Sequence, residues 1–497
     1  MKTIIAILYA HLVKRRNKQW IENPIKWQTN TFKKLIKNGV KTEFGKNHDF
    51  ENIYSYEQYK EKVPVRDYEE LRPYIDKVVN GQKDILWPGK PLYFAKTSGT
   101  TSGAKYIPIT KESLKTHIRS ARDALLNYFF KTKNFKPLKG KHMFLQGSPE
   151  LDKKKGIYHG RLSGISAHYV PKLFLRNRKP SWNTNCVEDW DDKVEAIIKE
   201  TIGEKMTIIA GIPSWVQMYF EKIVLKEGKT ISQVFPDLSL YVYGGVSYEP
   251  YRQIFDKLFG KSIDTLATFP ASEGFFGYQD QFNKDQTDLL LLLNNDIFYE
   301  FIKAEDFLCG KYKRISIKDV ELDVNYLLII STSAGLWSYN IGDTIKFTSI
   351  DPYRIIVSGR IKHFLSAFGE HVISEEVEKA MEVATKLHNV AIREFTVAPN
   401  VNPKNILPHH EWYVEFENFP EDMLAFTKTL NDEMINQNIY YKDLIDGKIL
   451  KSLEVMPVEI GGFNNYMKSV GRLGGQNKVP RLSNDRKIAD NLKTIKD

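Results

Sequence analysis

The sequence predicts an α/β protein in which buried strands alternate with helices. Three short apolar runs carry this prediction: TIIAGIP at 207–213, LSLYVYGG at 238–245 and YLLIIST at 326–332. Each has the length and the branched or aromatic side chains of a buried strand, and each ends near glycine or hydroxyl residues. Alternating strands and helices favour parallel pairing, and ligands of such sheets bind at the carboxyl ends of the strands.

The length of the chain predicts more than one domain. It has 497 residues, of which 42% are hydrophobic and 27% are charged, as in ordinary globular proteins. These values exclude a disordered, collagen-like or polytopic membrane chain. We expect a large N-terminal domain at 1–358, a hinge region at 359–370 and a smaller, mobile C-terminal α/β cap at 371–497.

The cap prediction depends on the pattern after residue 370. The segment SEEVEKAMEVATKLHN predicts a helix with Ser374 as its N-cap. Strand-like segments follow at 390–398 and 411–418, and a second helix is predicted from Pro420. A block of about 130 residues with this pattern can form a domain of its own.

The charge balance and the cysteines limit the class of protein. Lys and Arg exceed Asp and Glu by 72 − 61 = 11, which is compatible with anionic ligands such as nucleotides. Cys186 and Cys309 fit neither a disulfide framework nor a metal-binding spacing, so we expect a reducing, cytoplasmic location. No apolar run approaches the ~20 residues of a membrane-spanning helix. We expect a monomer that binds no nucleic acid and does not insert stably into membranes.

The N-terminal segment predicts an amphipathic helix. Ile4, Leu8 and Leu12 recur at helical spacing, and we expect this face to pack on the protein. The alternative is peripheral contact with a membrane surface, because the first 50 residues hold eleven Lys or Arg against three acids.

The most specific local motif is YFAKTSGTTSGAKYIPIT at 93–110. A short apolar entry leads into a predicted loop in which Gly99 and Gly103 let consecutive N–H groups converge on an anion. Ser98, Thr100 and Thr101 add hydroxyl donors, so the loop is suited to phosphate. The spacing is not that of a Walker A loop, and GxGxxG and GxSxG motifs are absent. The alternative is a polar hairpin without function.

Three further segments have both a functional and a structural interpretation. The glycines of YVYGGVSYEPY (241–251) could leave a flat surface for a purine, and Glu273 in LATFPASEGFFG (266–277) offers the hard oxygen ligands that Mg²⁺ prefers. In LWSYNIGDTIKF (336–347), a predicted turn closed by Gly342 presents Asp343, whose carboxylate could accept hydrogen bonds from ribose hydroxyls. Without further evidence, a turn, a cap or an exposed acid is the favoured interpretation of each segment. Lys478, in GGQNKVPR, would by default be a solvated lysine of the tail.

Together these motifs give the chain a family resemblance. The loop TSGTTSGAKYIP resembles the phosphate loop of the acyl-adenylate-forming superfamily. More narrowly, it resembles the auxin-responsive promoter family, the Gretchen-Hagen acyl acid amido synthetases and their bacterial relatives. The similarity begins in the lead-in at 63–91, continues through GSPELDKKKGIYHGRLSGI at 147–165 and ends at QNKVPR (476–481), so it covers nearly the whole chain.

The resemblance implies an adenylate-forming N-terminal domain and assigns roles to individual residues. It implies that ATP binds to Ser98, Gly99, Thr100, Thr101, Gly245, Val246, Phe269, Ser272, Glu273, Asp343 and Arg360. Among these, Phe269 would stack on adenine, Asp343 would bind ribose, Arg360 would contact ribose or phosphate, and Glu273 would bind Mg²⁺. Lys478 matches the lysine that such enzymes bring onto the reacting carboxylate and α-phosphate. Pro270 and Asn340 depart from the family pattern, which usually has a small residue and an arginine at these positions.

The function implied by the resemblance is a ligase with two steps. A small carboxylic acid would react with ATP, with Mg²⁺ as cofactor, to form an acyl-adenylate, and an amine, most simply that of an amino acid, would then displace AMP. Arg119 and Arg122 are candidates for binding the acid's carboxylate, but the sequence favours a surface arginine at each position, so neither is assigned to the site. Two alternatives remain open: a ligase with a thiol acceptor such as coenzyme A, and a nucleotide-binding protein without catalysis.

Overall fold

The computed structural model describes most of the chain. The described residues are 2–100, 103–170, 175–187, 189–244, 248, 252–282, 286–361, 364–365, 372–401, 403, 406–447, 449–473, 478–483 and 486–495. They form two compact units. The first comprises Met1–Gly211, Phe235–Gly245 and Ile263–Ile356, and the second comprises Ile212–Val234, Val246–Ser262 and Val357–Asp497. The domain boundaries expected from the sequence remain a prediction.

The helices are distributed over both units. They are α1 (Lys2–Ile21), α2 (Pro24–Gly39), α3 (Glu43–Asn47), α4 (Tyr56–Lys62), α5 (Tyr68–Val79), α6 (Lys111–Thr132), α7 (Leu162–Ala167), α8 (Trp182–Asn185), α9 (Trp190–Thr201), α10 (Pro213–Glu227), α11 (Ile231–Val234), α12 (Arg252–Phe259), α13 (Ala304–Leu308), α14 (Ser374–Leu387), α15 (Met423–Gln437), α16 (Ile439–Asp446) and α17 (Gly462–Ser469).

Within the described residues, the strands form four sheets. They are β1 (Tyr93–Thr100), β2 (Gly103–Ile109), β3 (Lys141–Phe144), β4 (Asp152–Lys154), β5 (Ile157–Gly160), β6 (Arg178–Lys179), β7 (Met206–Ala210), β8 (Leu240–Gly244), β9 (Asp264–Pro270), β10 (Phe275–Tyr278), β11 (Leu289–Leu291), β12 (Ile297–Lys303), β13 (Ile315–Ser316), β14 (Asn325–Thr332), β15 (Tyr339–Ile350), β16 (Tyr353–Arg360), β17 (Phe364–Leu365), β18 (Val372–Ile373), β19 (Ala391–Asn400), β20 (His409–Asn418) and β21 (Glu454–Pro457).

One large sheet dominates the first unit. Its 12 strands follow the order β13-β12-β14-β15-β16-β11-β10-β9-β8-β7-β3-β6. The half from β9 to β6 is parallel, whereas β9 pairs antiparallel with β10. The three predicted buried strands are confirmed as β7, β8 and β14. Since β7, β8 and β9 run in parallel, their carboxyl ends meet at one edge of the sheet, where a ligand is expected.

A separate four-stranded sheet holds the predicted phosphate loop. Its order is β2-β1-β5-β4, with β1 antiparallel to β2 and parallel to β5. α6 follows β2 directly, and Thr110 caps its N-terminus, because its hydroxyl accepts the N–H of Ser113 at 3.2 Å.

The C-terminal part of the second unit has the predicted order of elements. β19 pairs antiparallel with β20, and β20 pairs in parallel with β21. α14 and α15 contribute Val377, Met381, Phe426 and Leu430 to a buried core. The predicted N-cap of α14 is wrong by one residue, since Ile373 holds that position and donates its N–H to Glu376 at 2.9 Å.

The helix predicted at the N-terminus is confirmed as α1, but the predicted buried face is wrong. Leu8 and Leu12 are 62% and 60% exposed, whereas Ala6, Ala10 and Val13 are buried. The small alanines allow close contact with α6, and this contact decides the orientation of the helix more than the larger leucines do. Within the described residues, no helix has both the length and the apolar character needed to span a membrane.

Candidate functional site

The predicted phosphate loop has fewer residues outside the strands than the sequence suggests. β1 continues to Thr100 and β2 begins at Gly103, so the glycines lie in the arms of a hairpin whose pairing is irregular between Thr97 and Thr100. The hydroxyl of Tyr68 on α5 accepts the Tyr106 N–H at 2.8 Å and so holds β2. Thr101 lies outside the described residues, and of the other predicted phosphate ligands, Ser98, Gly99 and Thr100, only the backbone is described. Their role remains a prediction.

The end of β8 requires glycine. A Cβ atom at Gly244 would lie 2.6 Å from the carbonyl oxygen of Thr268 on β9, closer than real contacts allow. The Thr268 hydroxyl donates to the carbonyl oxygen of Tyr243 at 2.8 Å, which fixes the two strands at this edge. Gly245 and Val246, which are predicted to line the adenine site, directly follow but lie outside the described residues.

A tight turn presents the predicted magnesium ligand. Between β9 and β10, the Ala271 N–H donates to Gly274 O at 2.8 Å and the Gly274 N–H donates back at 3.3 Å. Ser272 and Glu273 therefore form the tip of a two-residue hairpin, and both are half-buried. Pro270, the departure from the family pattern, is accommodated as the last residue of β9.

The predicted adenine-stacking residue is enclosed by protein. Phe269 is 6% exposed, and its ring lies against Phe276 with a centroid distance of 5.0 Å. Phe269 lies on β9, just before the Ser272–Glu273 turn. Its stacking on adenine remains a prediction.

Asp343 lies in a β-bulge and not in the predicted turn. Asn340 pairs with Ile329 and Thr344 pairs with Leu327, so residues 341–343 face the single residue Leu328. Gly342 has a φ of +86°, and its N–H donates to Asn340 Oδ1 at 2.8 Å. Bulges redirect side chains and are frequent beside active sites. Asp343 itself is 7% exposed, so the bulge places a carboxylate in a sheltered position where hydrogen bonds are strong.

A buried ionic network holds Ser338, the residue directly before β15. Glu300 Oε2 accepts the Ser338 hydroxyl at 2.6 Å, and Arg314 lies 3.2 Å from Glu300 Oε1. The backbone N–H of Arg66 donates to the carbonyl oxygen of Ser338 at 3.1 Å. Burial raises the pKa of Glu300, and the charge of Arg314 opposes that shift. Sequence reasoning missed this network because its members are far apart in the chain.

Arg360 ends β16, and its side chain lies outside the described residues. Its neighbour Gly359 has a φ of +147°, and a Cβ atom there would lie 3.0 Å from Cβ of Ser374. This close approach attaches the end of β16 to the start of α14, which explains the glycine.

Lys478 is exposed and precedes a short segment that extends the three-stranded sheet. The Thr396 hydroxyl donates to Pro480 O at 2.7 Å, and the Val397 N–H donates to Arg481 O at 2.9 Å. Lys478 is one of the residues lining a cleft in the second unit, together with Trp215, Glu221, Arg393 and Glu415. This segment therefore presents Lys478 at a cleft rather than in a free tail.

The cleft contains paired charges. Arg393 lies 3.0 Å from Glu221 and 2.5 Å from Glu417. Burial alone would lower the pKa of Arg393, but the two carboxylates raise it overall. Burial raises the pKa of Glu415, which accepts the N–H groups of Gly461 and Phe463 at 2.8 and 3.3 Å.

The two arginine candidates for the acid's carboxylate have other partners. Arg119 donates to Asn294 O at 2.6 Å and to Asn295 Oδ1 at 3.0 Å. Arg122 pairs with Asp123 at 3.2 Å. In the part of the chain that the structure describes, no group of three or more His, Cys, Asp or Glu side chains could hold a metal ion. Among these residues, Glu273 would therefore serve as a single carboxylate ligand rather than as part of a cluster.

Models of one family match three successive parts of the chain. The GH3 family N-terminal domain matches residues 13–177, the central domain matches 290–360 and the C-terminal domain matches 375–487. Among named relatives, the indole-3-acetic acid-amido synthetase GH3.3 of Arabidopsis thaliana is 23% identical over 91% of this chain and 88% of its own. The jasmonoyl-L-amino acid synthetase JAR4 of Nicotiana attenuata is 21% identical over 92% of this chain and 90% of its own.

Solved structures support the same fold. The GH3.15 acyl acid amido synthetase superposes with a TM-score of 0.80 at 16% identity, covering 97% of this chain and 96% of that one. A 2-hydroxyisobutyryl-CoA ligase in the postadenylation state superposes with a TM-score of 0.62 at 11% identity, covering 93% and 89%. The mixed α/β architecture predicted from the sequence is thereby confirmed as that of acyl-adenylate-forming enzymes. The chain belongs to the GH3 family, as its motifs predict.

Proposed function

We propose that the chain is an ATP-dependent acyl acid amido synthetase, which activates a carboxylic acid and joins it to an amine, most simply that of an amino acid. The observation that carries the proposal is the ordered match to three GH3 models. The phosphate hairpin lies in the first matched region, Asp343 and Arg360 lie in the second, and Lys478 lies in the third. The named relatives are amido synthetases that act on indole-3-acetic acid or form jasmonoyl-amino acids.

In the first step, a carboxylate oxygen of the acid attacks the α-phosphorus of ATP and pyrophosphate leaves. The N–H groups and hydroxyls of Ser98, Gly99, Thr100 and Thr101 bind the phosphates. Asp343 accepts hydrogen bonds from ribose hydroxyls, and Arg360 adds a positive charge beside them. Because both reactants are held in one geometry, positioning and electrostatic stabilisation supply most of the rate increase.

The chemistry of Glu273 fits magnesium. Its carboxylate stands at the tip of a turn, and Mg²⁺ is commonly held by one or two carboxylates together with phosphate oxygens and water. When bound, Mg²⁺ supplies charge compensation for the triphosphate.

In the second step, the amine attacks the carbonyl carbon of the acyl-adenylate and AMP leaves with the oxygen that came from the acid. A proton must be removed from the amine, and none of the residues above is assigned to that task. Lys478 stabilises the negative charge that develops on the α-phosphate during the first step. In the second step the charge develops at the carbonyl instead, so the lysine matters less there.

The test is acid-dependent exchange of pyrophosphate into ATP. We expect exchange with at least one acid of a panel containing indole-3-acetate, jasmonate, benzoate and 4-hydroxybenzoate. Supplying amino acids or coenzyme A then identifies the acceptor, and we expect amide products by mass spectrometry. Thioester as the main product would favour the thiol-acceptor ligase. ATP binding without any exchange would favour a binding protein.

A matched pair of variants connects this activity to the ribose site. Asp343→Asn removes a sheltered charged acceptor, which costs about 1.5–3 kcal/mol, or roughly 10- to 100-fold in ATP affinity. Asp323→Asn makes the same chemical change at an exposed residue and should leave affinity unchanged. Equal ATP affinity in both variants, measured by calorimetry, would remove Asp343 from the nucleotide site.

A further inference from the structure

The outer face of α1 exposes apolar side chains that the described residues do not cover. Leu8, Tyr9 and Leu12 are 62%, 50% and 60% exposed, and they lie in adjacent turns of one helix. The opposite face buries Ala10 and Val13 where α1 contacts α6, so packing explains that face alone. Single exposed leucines are common, whereas neighbouring ones usually mark a surface that binds a partner.

Positive charge follows the apolar residues along the same face. Leu8, Leu12 and Arg15 are spaced by four and then three residues, so they form one row along the helix. The segment from Lys2 to Ile21 contains no Asp or Glu. Arg15 is exposed and, among the described residues, it forms no ion pair. The apolar row therefore ends in a charge that the described part of the chain does not neutralise.

The end of α6 adds further charge beside this row. The ring of Phe130 on α6 meets the ring of His11 on α1 edge-on, with a centroid distance of 5.2 Å. The ammonium groups of Lys14 and Lys133 lie over the same Phe130 ring, 4.9 and 4.1 Å from its centroid. Lys131, in the last turn of α6, is also exposed. Because His11 adjoins Leu12 in the chain, basic side chains of both helices flank the apolar row.

This combination of apolar and basic side chains selects the kind of partner. Nucleic acid binds chiefly through its phosphates, which gives exposed leucines no role. A second copy related by a two-fold axis would place the same positive face against itself, where like charges repel. An anionic lipid bilayer offers phosphates for the cations and acyl chains for the leucines. Since no helix among the described residues could span a membrane, such a contact lies at the membrane surface.

We propose that α1 is a membrane-surface helix that docks the protein on anionic phospholipid. Its outer face lies along the bilayer, Leu8 and Leu12 insert between the headgroups, and Lys14 and Arg15 pair with lipid phosphates. The contact is non-covalent, and salt weakens it because part of its strength is electrostatic. It is independent of the proposed function, since it uses no residue assigned to the nucleotide, the acid or the amine.

The first test measures binding of the full chain to vesicles by flotation. We expect binding to vesicles made of equal parts of phosphatidylglycerol and phosphatidylcholine, and much weaker binding to phosphatidylcholine alone. Added sodium chloride should weaken the binding to the anionic vesicles. No binding to the anionic vesicles, or equal binding to both kinds, would overturn the proposal.

A first pair of double variants tests the leucines. Leu8→Gln with Leu12→Gln should weaken partitioning onto the anionic vesicles about 10- to 100-fold, because two apolar side chains no longer insert. The control, Leu225→Gln with Leu424→Gln, alters leucines of α10 and α15 that are 87% and 83% exposed, and it should bind like the unaltered protein. Since all four leucines are exposed, urea denaturation should be unchanged in both variants. Unchanged partitioning of the α1 variant would overturn the proposal.

A second pair tests the cations. Lys14→Gln with Arg15→Gln removes two charges beside the leucines and should weaken partitioning about 10- to 30-fold. Lys428→Gln with Lys442→Gln makes the same change of net charge at exposed residues of α15 and α16, and its effect should be much smaller. Equal losses in the two variants would show that net charge alone drives the binding, which would overturn the assignment to α1.

Hydrogen exchange followed by mass spectrometry maps the contact without any substitution. We expect peptides of α1 to exchange more slowly when the anionic vesicles are present, while peptides of α15 are unaffected. Slower exchange confined to other segments would overturn the proposal. So would slower exchange of α1 without vesicles at high protein concentration, accompanied by a dimer in sedimentation velocity, because this face would then bind a second copy of the chain.

Discussion

The guanidinium of Arg481 lies over the ring of Phe395, with its central carbon 4.5 Å from the ring centroid. The same side chain is 3.3 Å from Glu378 on α14 and also pairs with Glu394 on β19. Since Arg481 follows Lys478 by three residues, these contacts fix the segment that presents the predicted catalytic lysine.

The first prediction concerns this anchor. Arg481 is 7% exposed, so Arg481→Ala leaves two sheltered carboxylates without their partner and should lower the free energy of unfolding by about 3–5 kcal/mol. Arg481→Lys keeps the charge but not the planar guanidinium, so it should lower the free energy of unfolding by less than Arg481→Ala does. Urea denaturation measures both. Lys386→Ala removes an exposed pair with Glu382 on the same helix as Glu378 and should cost at most about 1 kcal/mol. Equal effects of Arg481→Ala and Lys386→Ala would show that Arg481 is not an anchor.

The second prediction concerns the bulge that carries Asp343. Among the described residues, a Cβ atom at Gly342 would meet nothing within 4 Å, so Gly342→Ala is strained only through its φ of +86°. We expect a loss of stability of about 1–2 kcal/mol together with weaker ATP binding, because the strained bulge reorients Asp343. Gly310→Ala is a matched control with a φ of +73° and equally open space. It should lose similar stability without losing ATP affinity. Unchanged ATP affinity in Gly342→Ala would separate the bulge from nucleotide binding.

The third prediction separates the two half-reactions. Lys478→Ala should slow acid-dependent pyrophosphate exchange by about 10²–10³-fold, the usual effect of removing a well-placed charge stabiliser. The same variant should convert supplied acyl-adenylate and amine at a nearly normal rate. Lys493→Ala, an exposed lysine of the same unit, provides the control. Equal loss in both assays would assign Lys478 a shared or structural role, and no loss would return it to the solvated surface.

The fourth prediction is a pH dependence of stability. Burial lowers the pKa of His117, which lies on α6, to about 4 in the folded protein, whereas that of a free histidine side chain is 6.5. Between these limits the unfolded chain therefore binds more protons. The contribution of neutral His117 is therefore complete above about pH 6.5 and is lost progressively as the pH falls towards 4. His117→Asn should lose less stability over this interval than the unaltered protein, as measured by urea denaturation at each pH. Identical slopes would show that the ring is not sheltered.

The strands and most helices are predictable because their signals are local. The apolar runs at β7, β8 and β14, and the helical spacing of α14, depend on residues close together in the chain. The bulge at Asp343 is not predictable in this way, since it is defined by pairing between β14 and β15. For the same reason, the contact between Gly359 and Ser374 cannot be read from either segment alone.

The errors also have physical causes. Hydrophobicity alone places Leu8 and Leu12 of α1 in the interior, because they are more apolar than Ala6 and Ala10, yet the smaller residues permit closer contact with α6.

The most direct test of the central claim, that the acid is activated as an acyl-adenylate and then transferred to an amine, is the fate of oxygen in a carboxylate labelled with ¹⁸O. Attack on the α-phosphorus and later departure of AMP must carry one labelled oxygen from the acid into AMP and leave the other in the amide. We predict AMP with one labelled oxygen for each amide formed, measured by mass spectrometry after turnover with acid, ATP and amino acid. Unlabelled AMP beside a labelled amide, or label in inorganic phosphate with ADP as the other product, would contradict the account.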